Sequence, residues 1–233
     1  MSKRHPGARR AHQDTSGGDP DDAFIARVLD FSKWAQENQQ VLTVALVVVG
    51  ILIAGGVYYQ SFQSGLRDQA AERLETIHQS IAINDVGGAK VDLATFLDQF
   101  GSTPYEGEAR LMLGELYLET GDPQQAMAVL GPLGSSPRRP IEFQGAALLG
   151  AAYEQEGRLD EAEDTYLDIA NRSDLEFQIS DALVAAARLR ELQGDGDGAI
   201  ELYERVLEEV EVTAPERGMF EMRIQEIRSS TSA

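Results

Sequence analysis

Apolar residues are arranged along the chain in three ways. Over 23–40, Phe24, Val28, Phe31, Trp34 and Ala35 recur at three and four residues, the period of a helix with one apolar face. Asp21 or Asp22 stands where it could cap the start, so a short amphipathic juxtamembrane helix is predicted. Val41 to Tyr59 then runs for nineteen residues with no charge. At 1.5 Å per residue such a helix reaches roughly 28 Å, against a bilayer hydrocarbon core of about 30 Å. Beyond residue 60 the apolar positions return to short stretches of helical period broken by Gly-Asp and Gly-Arg pairs. Residues 1–22 carry Gly, Pro, Ser and charge with no apolar face and predict a disordered tail, as residues 229–233 do at the other end.

The run at 41–59 predicts one transmembrane helix. Trp34 before it and Tyr58 and Tyr59 at its end suit the two interfaces, where amphipathic rings settle. Ala54-Gly55-Gly56 resembles a signal-peptide cleavage site, but forty residues precede the run and two tyrosines extend it, which favours a retained anchor. Lys3, Arg4, Arg9, Arg10, Arg27 and Lys33 lie before the run and only Arg67 and Arg73 follow within twenty residues. That excess favours a cytoplasmic N-terminus with the larger domain outside the cytoplasm. Gly50, Ala54 and Gly55 form a small-residue stripe suited to helix contact, a pattern also common in spans without partners.

The region over 60–228 is internally repetitive. Residues 113–130 and 149–166 match in register at Leu, Gly, Tyr, Gly and Ala, and residues 186–203 keep Gly194, Ala199 and Tyr203. A weaker copy runs from about Arg67 to Phe100, with Gly88-Ala89 at the corresponding turn. Ala89, Ala126, Ala162 and Ala199 fall 37, 36 and 37 residues apart. Each copy reads as helix, tight turn, helix. Gly121, Gly157 and Gly194 supply the left-handed residue that ends a helix, while the small Gly114, Gly150, Ala126 and Ala162 let two helices approach. Leu113, Tyr117, Leu149, Tyr153 and Tyr166 fill the seams. One such hairpin cannot bury its apolar face alone, so the hairpins are expected to stack. Met219, Met222, Ile224 and Ile227 are expected to seal the last one as the apolar face of a capping helix. The predicted fold is all-α: a single N-terminal transmembrane helix, a solenoid of about four helical hairpins and a C-terminal capping helix.

This layout resembles the tetratricopeptide repeat, whose small and aromatic positions match Leu113, Gly114, Tyr117, Gly121 and Ala126 in one unit and Leu149, Gly150, Tyr153, Gly157, Ala162 and Tyr166 in the next. The units exceed the family's usual length of about thirty-four residues, and Ala187 and Arg190 replace its Gly and Tyr in the last unit. The plan of the chain, with Met219, Met222, Arg223, Ile224 and Ile227 at its end, is similar to the ancillary SecYEG translocon subunit family, the YfgM-like proteins. That resemblance implies a bacterial inner-membrane protein with a periplasmic repeat domain, whose partners are translocon subunits, periplasmic chaperones or secreted polypeptides. A scaffold for cell division or envelope assembly is the alternative reading. Stacked hairpins leave a face lined by their first helices. Arg110, Glu115, Gln144, Glu154, Arg188 and Arg190 are its candidate partner-groove residues.

Charge and chemistry narrow the picture further. The net charge is −19, and everything after residue 60 holds fourteen basic against thirty-three acidic groups. Such a domain repels phosphate, which argues against nucleic-acid binding. There is no cysteine, hence no disulfide, thiolate metal site or lipid-modified Cys. His5, His12 and His78 form no His-x-x-x-His pair, and no metal or cofactor is expected. No phosphate loop, nucleophile elbow or paired-carboxylate site occurs, and Asp160-Glu161 and the acidic run 208–211 read as solvated helix faces, so no enzyme is expected. Asn171-Arg172-Ser173 fits a glycosylation pattern that also arises by chance.

Overall fold

The computed structural model describes residues 34, 38–209, 211 and 213–231. The tail expected over 1–22 lies outside the described residues, as do the apolar positions of the expected juxtamembrane helix apart from Trp34. Among the described residues there are nine helices and no strand. The chain divides at Ser61 into two compact units.

The first unit contains the start of α1 (Gln39–Ala82). Its apolar window has a mean hydropathy of 2.6 and no part of it is buried, so by length and composition α1 can cross a membrane. Leu46, Ile51 and Leu52 all stand exposed around it. Thr43 is the only polar side chain from Val41 to Val57, and its hydroxyl donates to the Gln39 carbonyl at 2.8 Å. The donor of the Thr43 hydroxyl is thus satisfied within the helix.

The second unit begins within the same helix. The rest of α1 and α2 (Val86–Phe100) form the first hairpin, and α3 (Glu106–Glu119) with α4 (Pro123–Gly134) the second. The third is α5 (Pro140–Gln155) with α6 (Leu159–Arg172), and the fourth α7 (Glu176–Leu192) with α8 (Gly196–Glu209). Helix α9 (Ala214–Thr231) follows, running three residues past the end expected at 228. From α2 to α9 each helix packs on the next, and α3 also meets α5, so the second and third hairpins touch through their first helices as well.

The hairpin turns share one backbone solution. Gly121, Gly157 and Gly194 have φ of 76°, 77° and 80°, the left-handed region that side chains disfavour. The next residue's N–H reaches back to a carbonyl five residues earlier, Asp122 to Tyr117 at 2.8 Å, Arg158 to Tyr153 at 2.9 Å and Asp195 to Arg190 at 2.8 Å. In the first hairpin the left-handed residue is Asn84 (φ 62°), with Asp85 N–H donating to Ser80 O, and not Gly88 of the Gly88-Ala89 pair expected at the turn. Gly88 lies inside α2, where its N–H donates to the Asp85 carboxylate that caps the helix. Asn tolerates this backbone because its short polar side chain bonds locally.

The core fills three contiguous clusters, centred on the first, second and third-to-fourth hairpins. Ala89, Ala126, Ala162 and Ala199 are completely buried at equivalent places. Leu113 and Leu149 are buried beside them, while Tyr117 and Tyr153 are half-buried against the same clusters. A Cβ on Gly114 would stand 2.6 Å from Leu130, and one on Gly150 2.8 Å from the Tyr166 ring, so both glycines let a large side chain lie flat on the helix. In α9 the buried face is Phe220, Ile224 and Ile227, with the Phe220 ring stacked on Tyr203 at 6.0 Å between centroids. Met219 and Met222 do not belong to that face and are 54% and 69% exposed. The sealing residues follow an i, i+4, i+7 stripe that the two methionines miss.

Candidate partner-binding face

The third and fourth hairpins expose a repeated polar arrangement along their first helices. The Tyr166 hydroxyl, from α6, donates to Glu154 Oε1 of α5 at 2.8 Å, and Arg188 of α7 binds the other carboxylate oxygen. One hairpin further on, the Tyr203 hydroxyl of α8 donates to Glu191 of α7 at 2.9 Å, and Arg223 of α9 binds the same carboxylate. Each hairpin therefore supplies a Tyr and a Glu, and the following helix supplies the Arg. Burial first, then the bond to Glu154, pushes the Tyr166 phenol well above its usual range. The same causes, with Glu191 as acceptor, push Tyr203 up to about 12. The Glu154 hydrogen bond holds the Arg188 guanidinium charged more firmly than usual.

All six expected groove residues lie on exposed or half-exposed first-helix positions, among them Glu115, Gln144, Glu154 and Arg188. Glu115 has its carboxyl raised by burial and then by the like charge of Glu119. Arg110 and Arg190 differ in what they bind. Arg110 binds Glu106 at 2.9 Å and donates to the Val129 carbonyl of α4 at 3.1 Å. Arg190 joins the buried Glu163 of α6 at 2.6 Å and Asp195 at 2.5 Å. Asp195 in turn accepts from the Gly198 N–H at the start of α8, and that bond, then Arg190, holds its carboxyl low. Both arginines fasten first helices to second helices. Glu191 and Arg223, absent from the predicted set, complete the second polar arrangement. Their spacing of 37 and 35 residues from Glu154 and Arg188 was the available signal. Among the described residues no cluster of His, Asp and Glu could hold a metal ion.

The family model of the tetratricopeptide repeat-like domain matches residues 32–229. The chain belongs to that family. Two solved tetratricopeptide structures show the same fold. A repeat protein from Parabacteroides merdae superposes with a TM-score of 0.57 at 15% identity over 69% of this chain, which spans 60% of that protein. MamA superposes with a TM-score of 0.55 at 19% identity over 70% of this chain and 82% of MamA. No curated protein matches the sequence. In tetratricopeptide repeats the stacked first helices make an extended surface for protein partners. The exposed Gln144, the paired Glu154 and Arg188, and Asp181 of α7 lie on first helices here.

Proposed function

We propose that this protein is a membrane-anchored adaptor whose tetratricopeptide domain holds protein partners outside the cytoplasm, beside the Sec translocon of a bacterial inner membrane. The observation that carries the reading is the joining of one membrane-competent apolar helix to tetratricopeptide hairpins in a single chain. Arg27 and Lys33 before the span support a cytoplasmic N-terminus. Similarity of the overall plan to the ancillary SecYEG subunits supports the translocon as neighbour, with periplasmic chaperones or secreted polypeptides as the bound class. The acidity of the domain keeps it soluble and suits basic or unfolded clients. Crosslinking in intact membranes followed by mass spectrometry tests this. Recovery of translocon subunits is expected, and recovery of division or envelope-assembly proteins in their place would overturn it. Protease added to spheroplasts is expected to digest the chain after residue 60 and spare the tail. Protection of the domain would reverse the topology.

A further inference from the structure

Two cavities flank α7 on the first-helix face. One, of about 210 Å³, lies between α5, α6 and α7, with Phe143, Ala147 and Tyr166 facing Phe177 and Ala182. The other, of about 400 Å³, lies between α7 and α9, with Val184 and Ala185 facing Met219 and Phe220. Phe177 and Met219 are large apolar side chains left 62% and 54% exposed, and each lines one of these cavities. Asp181 lines both cavities. It is exposed, and among the described residues it has no hydrogen-bond or ion-pair partner. The charged groups around it are otherwise engaged. Arg188, at the second cavity, is held by Glu154, and Glu216 accepts from the Thr213 N–H at 2.9 Å and its hydroxyl at 2.7 Å.

We infer that the two cavities take two apolar side chains of an extended polypeptide segment, and that Asp181 binds a Lys or Arg lying between them. This rests on the reading that the first-helix face holds protein partners, and it assigns that face a sequence preference. The spacing fits: neighbouring helices stand about 8–10 Å apart, so grooves on the two sides of α7 are separated by about that distance. In a polyproline-type extended chain, residues i and i+3 share one side and lie about 9 Å apart, leaving two positions between for the cation. Charge selects the occupant. The unpaired group is a carboxylate in a region with thirty-three acidic and fourteen basic residues, so a cationic segment is drawn to it and a second copy of this acidic face is repelled.

The test is selection of a random phage-displayed peptide library on the full chain in lipid nanodiscs. Enriched sequences are expected to carry Lys or Arg between two aliphatic or aromatic residues. Asp181→Lys is expected to weaken those peptides by about tenfold or more and to select Asp or Glu at the same place. Ala147→Trp, at an exposed position that fills the first cavity, is expected to weaken them to a similar extent with unchanged helical circular dichroism. Enriched peptides indifferent to both substitutions overturn the assignment. If such peptides are lost on Glu115→Lys instead, the partner-binding face stands and this site falls. No enrichment over empty nanodiscs overturns both.

Discussion

The junction between the third and fourth hairpins carries an ion pair between first helices, Glu154 with Arg188, where the junction between the second and third has apolar residues at the same register, although both are built on one plan. In each, a glycine of the first helix lies under a large side chain of the second: Gly114 under Leu130, and Gly150 under Tyr166. Leu118 and Ala151 hold the register positions that Glu154 and Arg188 hold one repeat later, and Leu118 packs in the same cluster as Leu130. The difference starts from one atom. A buried phenol needs an acceptor for its O–H, so Tyr166 brings Glu154, and a partly buried carboxylate gains from a cation, so Glu154 brings Arg188. Leucine needs neither. The same register positions are thus filled by non-directional burial in one junction, and in the other oriented bonds are added to it.

Four measurements would break or sharpen this contrast. Leu130→Ala removes a fully buried side chain and leaves a cavity, so urea denaturation should show a loss of about 3 kcal/mol that changes little with salt. A loss under about 1 kcal/mol would mean that the apolar junction does not rest on Leu130. Glu154→Ala leaves the Tyr166 hydroxyl and Arg188 without their acceptor, and about 1–2 kcal/mol should go. Because Arg188 is half exposed, a double-mutant cycle with Arg188→Ala should return a coupling of only about 0.5–1 kcal/mol, smaller in high salt.

The third measurement uses alkaline pH. The folded protein holds the Tyr203 proton more tightly than the unfolded chain, whose phenol titrates near 10.0. That contribution to stability is complete below pH 10 and is lost as pH climbs from about 10 to about 12. Tyr203→Phe should therefore flatten the alkaline limb of a stability profile followed by circular dichroism. An unchanged limb would remove Tyr203 from the polar arrangement that joins the fourth hairpin to α9. Met222→Ser is expected to have the smallest effect, within about 0.5 kcal/mol, since Met222 is exposed on α9. A thermal shift larger than that corresponds to would restore the methionine to the capping seam.

Much of the fold is legible in the sequence because its determinants are local. The turn glycines and the fully buried alanines recur at fixed spacing, and a repeat aligns them without knowledge of the fold. The misreadings arise where two residue types solve one problem or where a face is set by a neighbour. Asn84 does the work of glycine in the first turn, so searching for Gly found Gly88 instead. Met219 and Met222 look apolar enough to seal the domain, yet the position of Tyr203 selects Phe220. Arg110 and Arg190 resemble surface cations, and only the arrangement of α4, α6 and the Asp195 cap shows what they hold. The Tyr, Glu and Arg sets were readable in principle, since Tyr and Glu recur at 37 residues and Arg at 35, close to the period of the alanines, but an alignment weighted toward apolar and small residues passes over polar positions.

The alternation of donors along the last two hairpins gives each an outgoing edge, Tyr with Glu, and gives the fourth an incoming edge, Arg188. Helix α9 presents Arg223 to the fourth hairpin just as α7 presents Arg188 to the third. An extra copy of the fourth hairpin inserted ahead of α9 would meet compatible partners on both sides, and the array could lengthen there by duplication of a single unit. The same insertion between the second and third hairpins would set Arg188 against Leu118 and Leu130, so growth of this domain has a permitted end and a forbidden one.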